Sequence, residues 1–500
     1  MQPTPVSDAL LDGTAYLESL RDGRAVYLEG ERVRDVTAHP AFRNASRSIA
    51  RLYDALHDPN KSAILTAPDA FGQRVHKFFK PSSTAQELLE AREAIMCWAR
   101  LSYGFMGRTP DYKAAFMASM AANPDFYAPF ENSAKCWYRK YSSRGLFLNH
   151  VLINPPVDRN RPVHEVEDVF IHVVKERDDG MIVAGAKMLA TGSALTHATF
   201  VAHNSAVTLD KEKAKDFALA FIAPMDAPGT KLLCRPSYEQ RAHSPFDHPL
   251  SSRFDENDAV MIFDNVFIPW ENVLVYRDPE KANGFYGESR FINRFTLQAG
   301  ARLLVKLEIM AGLFAKAIAT NGTDSFRGVQ AALGEIVAWR HCMLAITTAM
   351  CLDPEPAPGG TVVPKIEYAN AIKIFAAECW PRIRQLFETH LAGSLLVAPS
   401  SYKDLKNPEL RPLIDRYYRG SSGSALERIK LFKLIWDAIG TEFGARHELY
   451  EVNYSGNQDQ MRLDVVSFAR RKGLMTEFTN IADACMAEYD LDGWTDPVWS

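Results

Sequence analysis

The chain has 500 residues, of which 47% are hydrophobic and 24% charged, with a formal net charge of −4. This balance belongs to a folded soluble protein of about two to four domains, and it offers no basic field to nucleic acid or an anionic membrane. The first residues, Met1-Gln2-Pro3-Thr4-Pro5, lack the basic and apolar parts of a signal peptide, and no apolar run approaches the ~18–20 residues that span a bilayer, so a cytoplasmic location is expected.

From about residue 84 to 122 the pattern is helical, with a break at Gly107-Arg108-Thr109-Pro110, because a proline biases its predecessor away from helix. Over residues 168–270 the period changes. Val169, Ile171 and Val173 alternate as in a strand, Asp178-Asp179-Gly180 supplies a hairpin turn, and Met181-Ile182-Val183 resumes the run. Phe217, Leu219 and Phe221 alternate in the same way. After about residue 285 helix returns: Leu303, Leu307, Met310 and Phe314 form one stripe of a long helix. Pro354, Pro356, Pro358, Gly359, Gly360 and Pro364 mark a loop. Leu431, Leu434, Ile435, Ala438 and Ile439 form a further stripe, closed by Gly440. The predicted class is α+β, with a mainly helical segment over 1–146, a β domain over 147–278 and a helical bundle with a tail over 279–500.

No GxGxxG follows a strand, and Gly420-Ser421-Ser422-Gly423-Ser424 lacks the lysine of a phosphate loop, so no Rossmann site for NAD(P)H is expected. Seven cysteines are scattered with no CxxC pair, which predicts free thiols and no metal centre. Three polar clusters stand out: Gly107-Arg108-Thr109-Pro110-Asp111-Tyr112, Asn149-His150 followed by Asn154-Pro155-Pro156-Val157-Asp158-Arg159, and Thr191-Gly192-Ser193-Ala194-Leu195-Thr196-His197. Singly, each has an ordinary reading as a solvated turn, a core histidine or a polar loop.

Together they resemble a family. With Pro249-Leu250-Ser251-Ser252-Arg253-Phe254-Asp255-Glu256-Asn257-Asp258, Ile268-Pro269-Trp270-Glu271-Asn272-Val273, Arg446-His447-Glu448-Leu449-Tyr450-Glu451 and Asn453-Tyr454-Ser455-Gly456, they follow the order found in one group of proteins. That group is the large (oxygenase) component of the 4-hydroxyphenylacetate 3-monooxygenase family, two-component FADH2-dependent phenol hydroxylases that include hydroxylases of tyrosine-derived natural-product units. The resemblance implies an acyl-CoA dehydrogenase-like fold: an N-terminal helical domain, a central β-barrel-like domain and a C-terminal four-helix bundle that builds a homotetramer. It implies hydroxylation ortho to the OH of a para-substituted phenol, giving a catechol, through a flavin C4a-hydroperoxide formed from FADH2 and O2. FADH2 would come from a separate NAD(P)H–flavin reductase.

Residue by residue, the resemblance places Arg108, Tyr112 and His150 around the substrate oxygen. Arg108 would stabilise phenolate charge, and an unperturbed His150 would titrate near ~6.5 and exchange the phenolic proton. His150, Val151, Leu152, Pro156, Val157, Asp158 and Arg159 match flavin contacts, Thr191 a hydroxyl near the flavin N5, and Ser455, Gly456, Asn457 and Gln458 a stretch closing over FAD. Asn204 and Ser205 lie where the family's loop meets the para substituent. The surrounding segment, Ala202 to Lys213, departs from the form typical of 4-hydroxyphenylacetate enzymes, which leaves open a larger tyrosine-like or carrier-bound phenol. The alternative is an acyl-CoA dehydrogenase- or 4-hydroxybutyryl-CoA dehydratase-like flavoenzyme. The dehydratases need a close cysteine pair, and Cys97 is followed by Trp98-Ala99-Arg100-Leu101.

Overall fold

The computed structural model describes residues 9–158, 160–204, 207–495 and 498. Helix α1 (Ala85–Leu101) starts at Thr84, whose hydroxyl accepts from the Glu87 amide, with the Glu87 carboxylate in the first turn. Beyond its end, Tyr103 and Gly104 both take positive φ. A Cβ on Gly104 would lie 2.8 Å from the backbone of Lys306 in the long helix that crosses here, so this turn requires glycine. Helix α2 (Pro110–Ala122) begins with proline at its first position, where the missing N–H costs nothing. It is buried on every side, which is why it shows no polar face.

The β segment forms two open sheets. The strands are β1 (Ala25–Leu28), β2 (Glu31–Val33), β3 (Leu148–Val151), β4 (His172–Arg177), β5 (Gly180–Lys187), β6 (Ala198–Ala202), β7 (Leu219–Pro224), β8 (Thr230–Cys234), β9 (Ala259–Pro269) and β10 (Val273–Tyr276). Six strands run β2-β1-β8-β9-β5-β4 and four run β10-β7-β6-β3. The expected barrel-like closure does not form: each sheet ends in free edges. The predicted hairpin is present, with Arg177 opposite Gly180 in the β4–β5 ladder. Two features depart from the local pattern. Residues 25–33 leave the helical segment and join the larger sheet, β1 running parallel to β8 with Ala25 opposite Lys231. Strand β7 is buried on both faces almost throughout rather than alternating, because it lies inside its sheet with both faces covered.

Helix α3 (Pro279–Glu288) leads into α4 (Phe291–Asn321), α5 (Arg327–Leu352), α6 (Ile366–Leu391) and α7 (Ala425–Ile439), which pack together as a bundle. The stripe Leu303, Leu307, Met310 and Phe314 is fully buried. Each such side chain contributes about 1.5–3 kcal/mol relative to exposure. The proline-rich stretch between α5 and α6 forms a two-stranded ribbon, Pro354–Ala357 against Thr361–Pro364, rather than an irregular loop. Before α7, Ser424 and Glu427 form a reciprocal capping box, which explains the serine-rich run. Helices α8 (Glu442–Asn453), α9 (Gln458–Arg471) and α10 (Leu474–Met486) follow, and a short antiparallel ribbon, Tyr489–Asp490 against Gly493–Trp494, comes after them. One contiguous core links all three segments. Among the described residues no helix is long and apolar enough to cross a membrane.

Candidate active site

The turn between α1 and α2 is held by a carboxylate from the β segment. The amides of Gly107 and Arg108 donate to the two oxygens of Glu256, at 3.0 and 2.5 Å. Arg446, on α8, reaches Glu256 at 3.3 Å and Asp258 at 3.0–3.1 Å. Thr191 donates to Asp258 at 2.5 Å, and Arg235 donates to Asp258 and Asp255. Burial pulls the Asp258 carboxyl up, but Arg446, Arg235 and the Thr191 hydroxyl hold it well below the usual carboxylate range. These charges tie the sheet, the turn and α8 into one rigid frame. Gly107 also faces Tyr450 of α8, whose phenol would lie 2.3 Å from any Cβ there.

On this frame the Arg108 guanidinium sits 4.0 Å above the Tyr112 ring and 5.2 Å from that of Tyr450. Such stacking contributes about 0.5–2 kcal/mol and aligns the fork. Burial lowers the basicity of Arg108, yet Tyr112, Tyr450 and Glu256 raise it further, so it stays a cation. The His150 ring, on β3, stacks beside Tyr112 at 5.8 Å and 21°. The three residues picked from the sequence therefore converge. They line a narrow cleft together with Thr109, Lys113, Leu148, Asn149, Leu189 and Thr191. One expectation changes. Burial, then Lys113 and Arg108, hold the His150 imidazole well below its ordinary value, so it is neutral near pH 7 and does not titrate there.

A second, tightly packed aromatic chamber adjoins the first. Phe116, Leu152, Phe200, Phe285, Tyr286 and Phe291 line it, and Lys113 and His150 belong to both walls. Phe116 and Phe200 meet with centroids 3.8 Å apart. Leu152, placed at the flavin by sequence, faces this aromatic chamber. Val151 is buried in the core. Pro156 and Val157 are exposed, Asp158 is half-buried and accepts from the Asn160 amide, and Arg159 lies outside the described residues. Thr191 is on the cleft wall as expected. Ser455 and Gln458 are half-buried, Gly456 takes φ +111°, and Asn457 caps α9. They follow Tyr454, which stacks on Tyr450 at 5.7 Å, but they do not line the cleft. Asn204 is half-buried just past β6, and Ser205 lies outside the described residues. Arg446, Glu256 and Asp258 were visible in the sequence as motif residues without a role. Lys113 was passed over, although a lysine followed directly by the mostly apolar run over residues 114–122 is a signal of a buried cation.

The cleft suits a flat heteroaromatic ring. Asn149 is 4% exposed and neither of its amide atoms has a hydrogen-bond partner within the described residues. It stands beside apolar Leu148 and Leu189 and the Thr191 hydroxyl. A fixed donor–acceptor pair against apolar walls fits the edge of an isoalloxazine.

Comparison with known proteins decides the family. Residues 12–275 match the family model for the 4-hydroxyphenylacetate 3-hydroxylase N terminal region, and residues 282–483 match the C terminal one. The chain belongs to the 4-hydroxyphenylacetate 3-hydroxylase family. Within it, the pyoverdin chromophore biosynthetic protein PvcC of Pseudomonas aeruginosa is 56% identical, with 99% of each chain covered. A Streptomyces globisporus monooxygenase named for a chlorinated amino-(hydroxyphenyl)propanoyl group on a peptidyl-carrier protein is 49% identical, covering 97% of this chain and 93% of its own. A crystal structure of a 4-hydroxyphenylacetate 3-monooxygenase oxygenase component, complexed with FAD and 4-hydroxyphenylacetate, superposes with a TM-score of 0.90 at 32% identity, covering 95% of this chain and 99% of that one. A 4-hydroxybutyryl-CoA dehydratase from N. maritimus shares the fold at TM-score 0.83 and 20% identity, over 95% of each chain. The family match, over nearly the whole chain, favours the hydroxylase over that alternative.

Proposed function

We propose that this chain is the oxygenase component of a two-component, FAD-dependent monooxygenase that hydroxylates a para-substituted phenol ortho to its OH, giving a catechol. The observation that carries this reading is the convergence of Arg108, Tyr112 and His150 on one cleft, with Asn149 and Thr191 on the same wall. Reduced FAD, delivered by a separate NAD(P)H–flavin reductase, supplies the activated oxygen from O2. The chain's own residues do the rest. Arg108 stabilises negative charge on the phenol oxygen, which enriches the ortho carbon. His150, neutral, orients that oxygen by a hydrogen bond. The aromatic chamber excludes water. Thr191, Asn149 and the segments at 156–159 and 455–458 are the proposed flavin contacts. Given a panel of phenols, O2 and any reductase that releases FADH2, the chain should form products one oxygen heavier, read by mass. Robust NADPH oxidation by the chain alone, or no product from any phenol, would remove this function.

The substrate we infer is 4-hydroxyphenylacetate or a larger tyrosine-derived phenol, free or carrier-bound. Its para substituent is selected by the loop from His203 to Lys213. Tyr286 donates to the His203 carbonyl at 2.6 Å, and the Leu209 backbone pairs with Asn283, so the loop is anchored to α3 beside the aromatic chamber. Replacing the loop with a shorter one should shift relative kcat/KM between phenols by ~10-fold or more, as expected when about 1–3 kcal/mol of pocket contacts change. Unchanged preference, or loss of oxygen consumption with every phenol, would assign the loop another role.

The inferred assembly is a homotetramer built on the C-terminal helices. Helix α10 buries none of its residues, and Phe478, Ile481 and Met486 are 55–71% exposed along it. An apolar surface of this kind packs against another copy. Light scattering should give a tetramer mass, and Phe478→Glu with Ile481→Glu should reduce it; a concentration-independent monomer in the wild type would end this assignment.

A further inference from the structure

Lys113 is the one cation of the cleft that the reading above leaves without a task. It is the fourth residue of α2 and only 2% exposed. Its Nζ has no hydrogen-bond partner among the described residues. It lies 4.2 Å from the Tyr112 ring centroid and 5.3 Å from that of Phe291. It also contributes to the walls of both cavities, so it stands between the polar cleft and the aromatic chamber.

The charged and titratable groups facing it are few. Arg108 comes from the turn, Tyr112 from its own helix, His150 from β3 and Tyr286 from α3. The nearest carboxyl in sequence, Asp111, is taken by the Thr109 hydroxyl and Gln298. The walls thus hold a permanent guanidinium, an amine and a neutral imidazole, and among the described lining residues no carboxylate. Arg108 has Glu256 behind it, whereas Lys113 has no carboxylate among the described lining residues, and two buried nitrogen cations on one phenol ring repel each other and leave the amine poorly solvated. The arrangement is relieved in two ways: the amine gives up its proton, or an anion enters. Before substrate arrives the first applies; a phenol then returns a proton to the amine and at the same time supplies the anion.

We propose that Lys113 is a further catalytic residue: its Nζ accepts the proton of the substrate's phenolic OH and, as the ammonium, then holds the phenolate oxygen against Arg108. This deepens the phenol-hydroxylase reading and rests on it. In the transfer the substrate O–H bond breaks and an N–H bond forms on Nζ. The neutral amine and neutral phenol become a buried ammonium–phenolate pair, and no proton leaves the protein. Burial, and secondarily Arg108, draw the Lys113 amine well below its ordinary range, which makes the neutral form available before substrate arrives.

The test is optical and needs no flavin. 4-Nitrophenol, whose phenolate is coloured and whose phenol is not, is titrated into the full-length chain below the pH range where the free compound ionises. A weakly buffered indicator dye follows protons in parallel. The wild type should bind the coloured phenolate with no net proton release, because the proton moves to Lys113. Lys113→Met should bind it colourless, or coloured with one proton released per phenol, and at least tenfold more weakly. Lys113→Gln repeats the measurement should the Met variant lose its far-UV signature of folding. Release of one proton per phenol bound by the wild type, or colourless binding by it, overturns the inference even if no variant folds. Coloured binding without release in a folded variant overturns it as well. Failure of the wild type to bind any phenol of the panel removes the hydroxylase reading itself.

Discussion

Arg108→Ala should consume oxygen in the reconstituted system and make almost no catechol. Its guanidinium is the fixed positive charge of the cleft, stacked on Tyr112 and held by a backbone that Glu256 grips through two amides. Removing one preorganised partner of a developing oxyanion costs about 10²–10³ in rate. The amides and Glu256 remain, so the fold and the rest of the cleft persist. Reducing equivalents should then leave as H2O2, and the ratio of product to O2 consumed should collapse while O2 uptake continues. Arg108→Lys should recover only part of this ratio, because an ammonium lacks the planar fork that stacks on Tyr112. An oxygen electrode, a peroxide assay and product mass read the three quantities together. Coupled hydroxylation at the wild-type rate in Arg108→Ala would show that charge at the phenol oxygen is supplied elsewhere and would dissolve the site.

How much of this was legible beforehand follows physical range. Short-range rules carried well: Pro110 starts a helix, Asp178-Asp179-Gly180 makes a turn, and the Leu303–Phe314 stripe faces a core. Ordered motifs carried the family and brought Arg108, Tyr112 and His150 to one place. Long-range pairing did not carry. Nothing in Ala25–Leu28 announces a parallel partner some 200 residues later, and that pairing belongs to an open sheet where a barrel was expected. The frame behind Arg108 joins Glu256 and Asp258 to Arg446, about 190 residues away, and only the fold brings them together. Burial was the other missing quantity. It keeps His150 neutral where an exposed imidazole would titrate, and it turns Lys113 from a helix-surface lysine into part of the cleft wall.

Glu451→Ala should produce the largest loss of stability of any single substitution near the site. Glu451 accepts from both Nη atoms of Arg302 at 2.6 Å and from Lys306 at 2.9 Å, and the three side chains are 0–1% exposed. Replacing such a cluster wholesale by apolar residues is often tolerated, whereas removing its only carboxylate strands two cations and typically costs about 3–5 kcal/mol. The two cations respond differently. Lys306, which burial already draws down to about 8 and which lies 3.7 Å from the Trp380 ring, can shed its proton. Arg302 cannot, and it carries most of the penalty. Arg302 also donates to the Gly104 carbonyl at 3.1 Å, so disorder here reaches the turn that holds Arg108, and catalytic coupling should fall with stability. The pH dependence has a definite sign. Burial pulls the Glu451 carboxyl up, but Arg302 and Lys306 outweigh it and bring it down to about 2. A depressed carboxyl stabilises the fold above its unfolded value of ~4.3 and loses that contribution as pH falls toward the folded one. Between about pH 4.5 and 2 the wild type should therefore lose stability that the variant has already lost, and their urea midpoints should converge there. Equal midpoints at pH 7 would mean that water reaches Arg302 and that the cluster is not sealed.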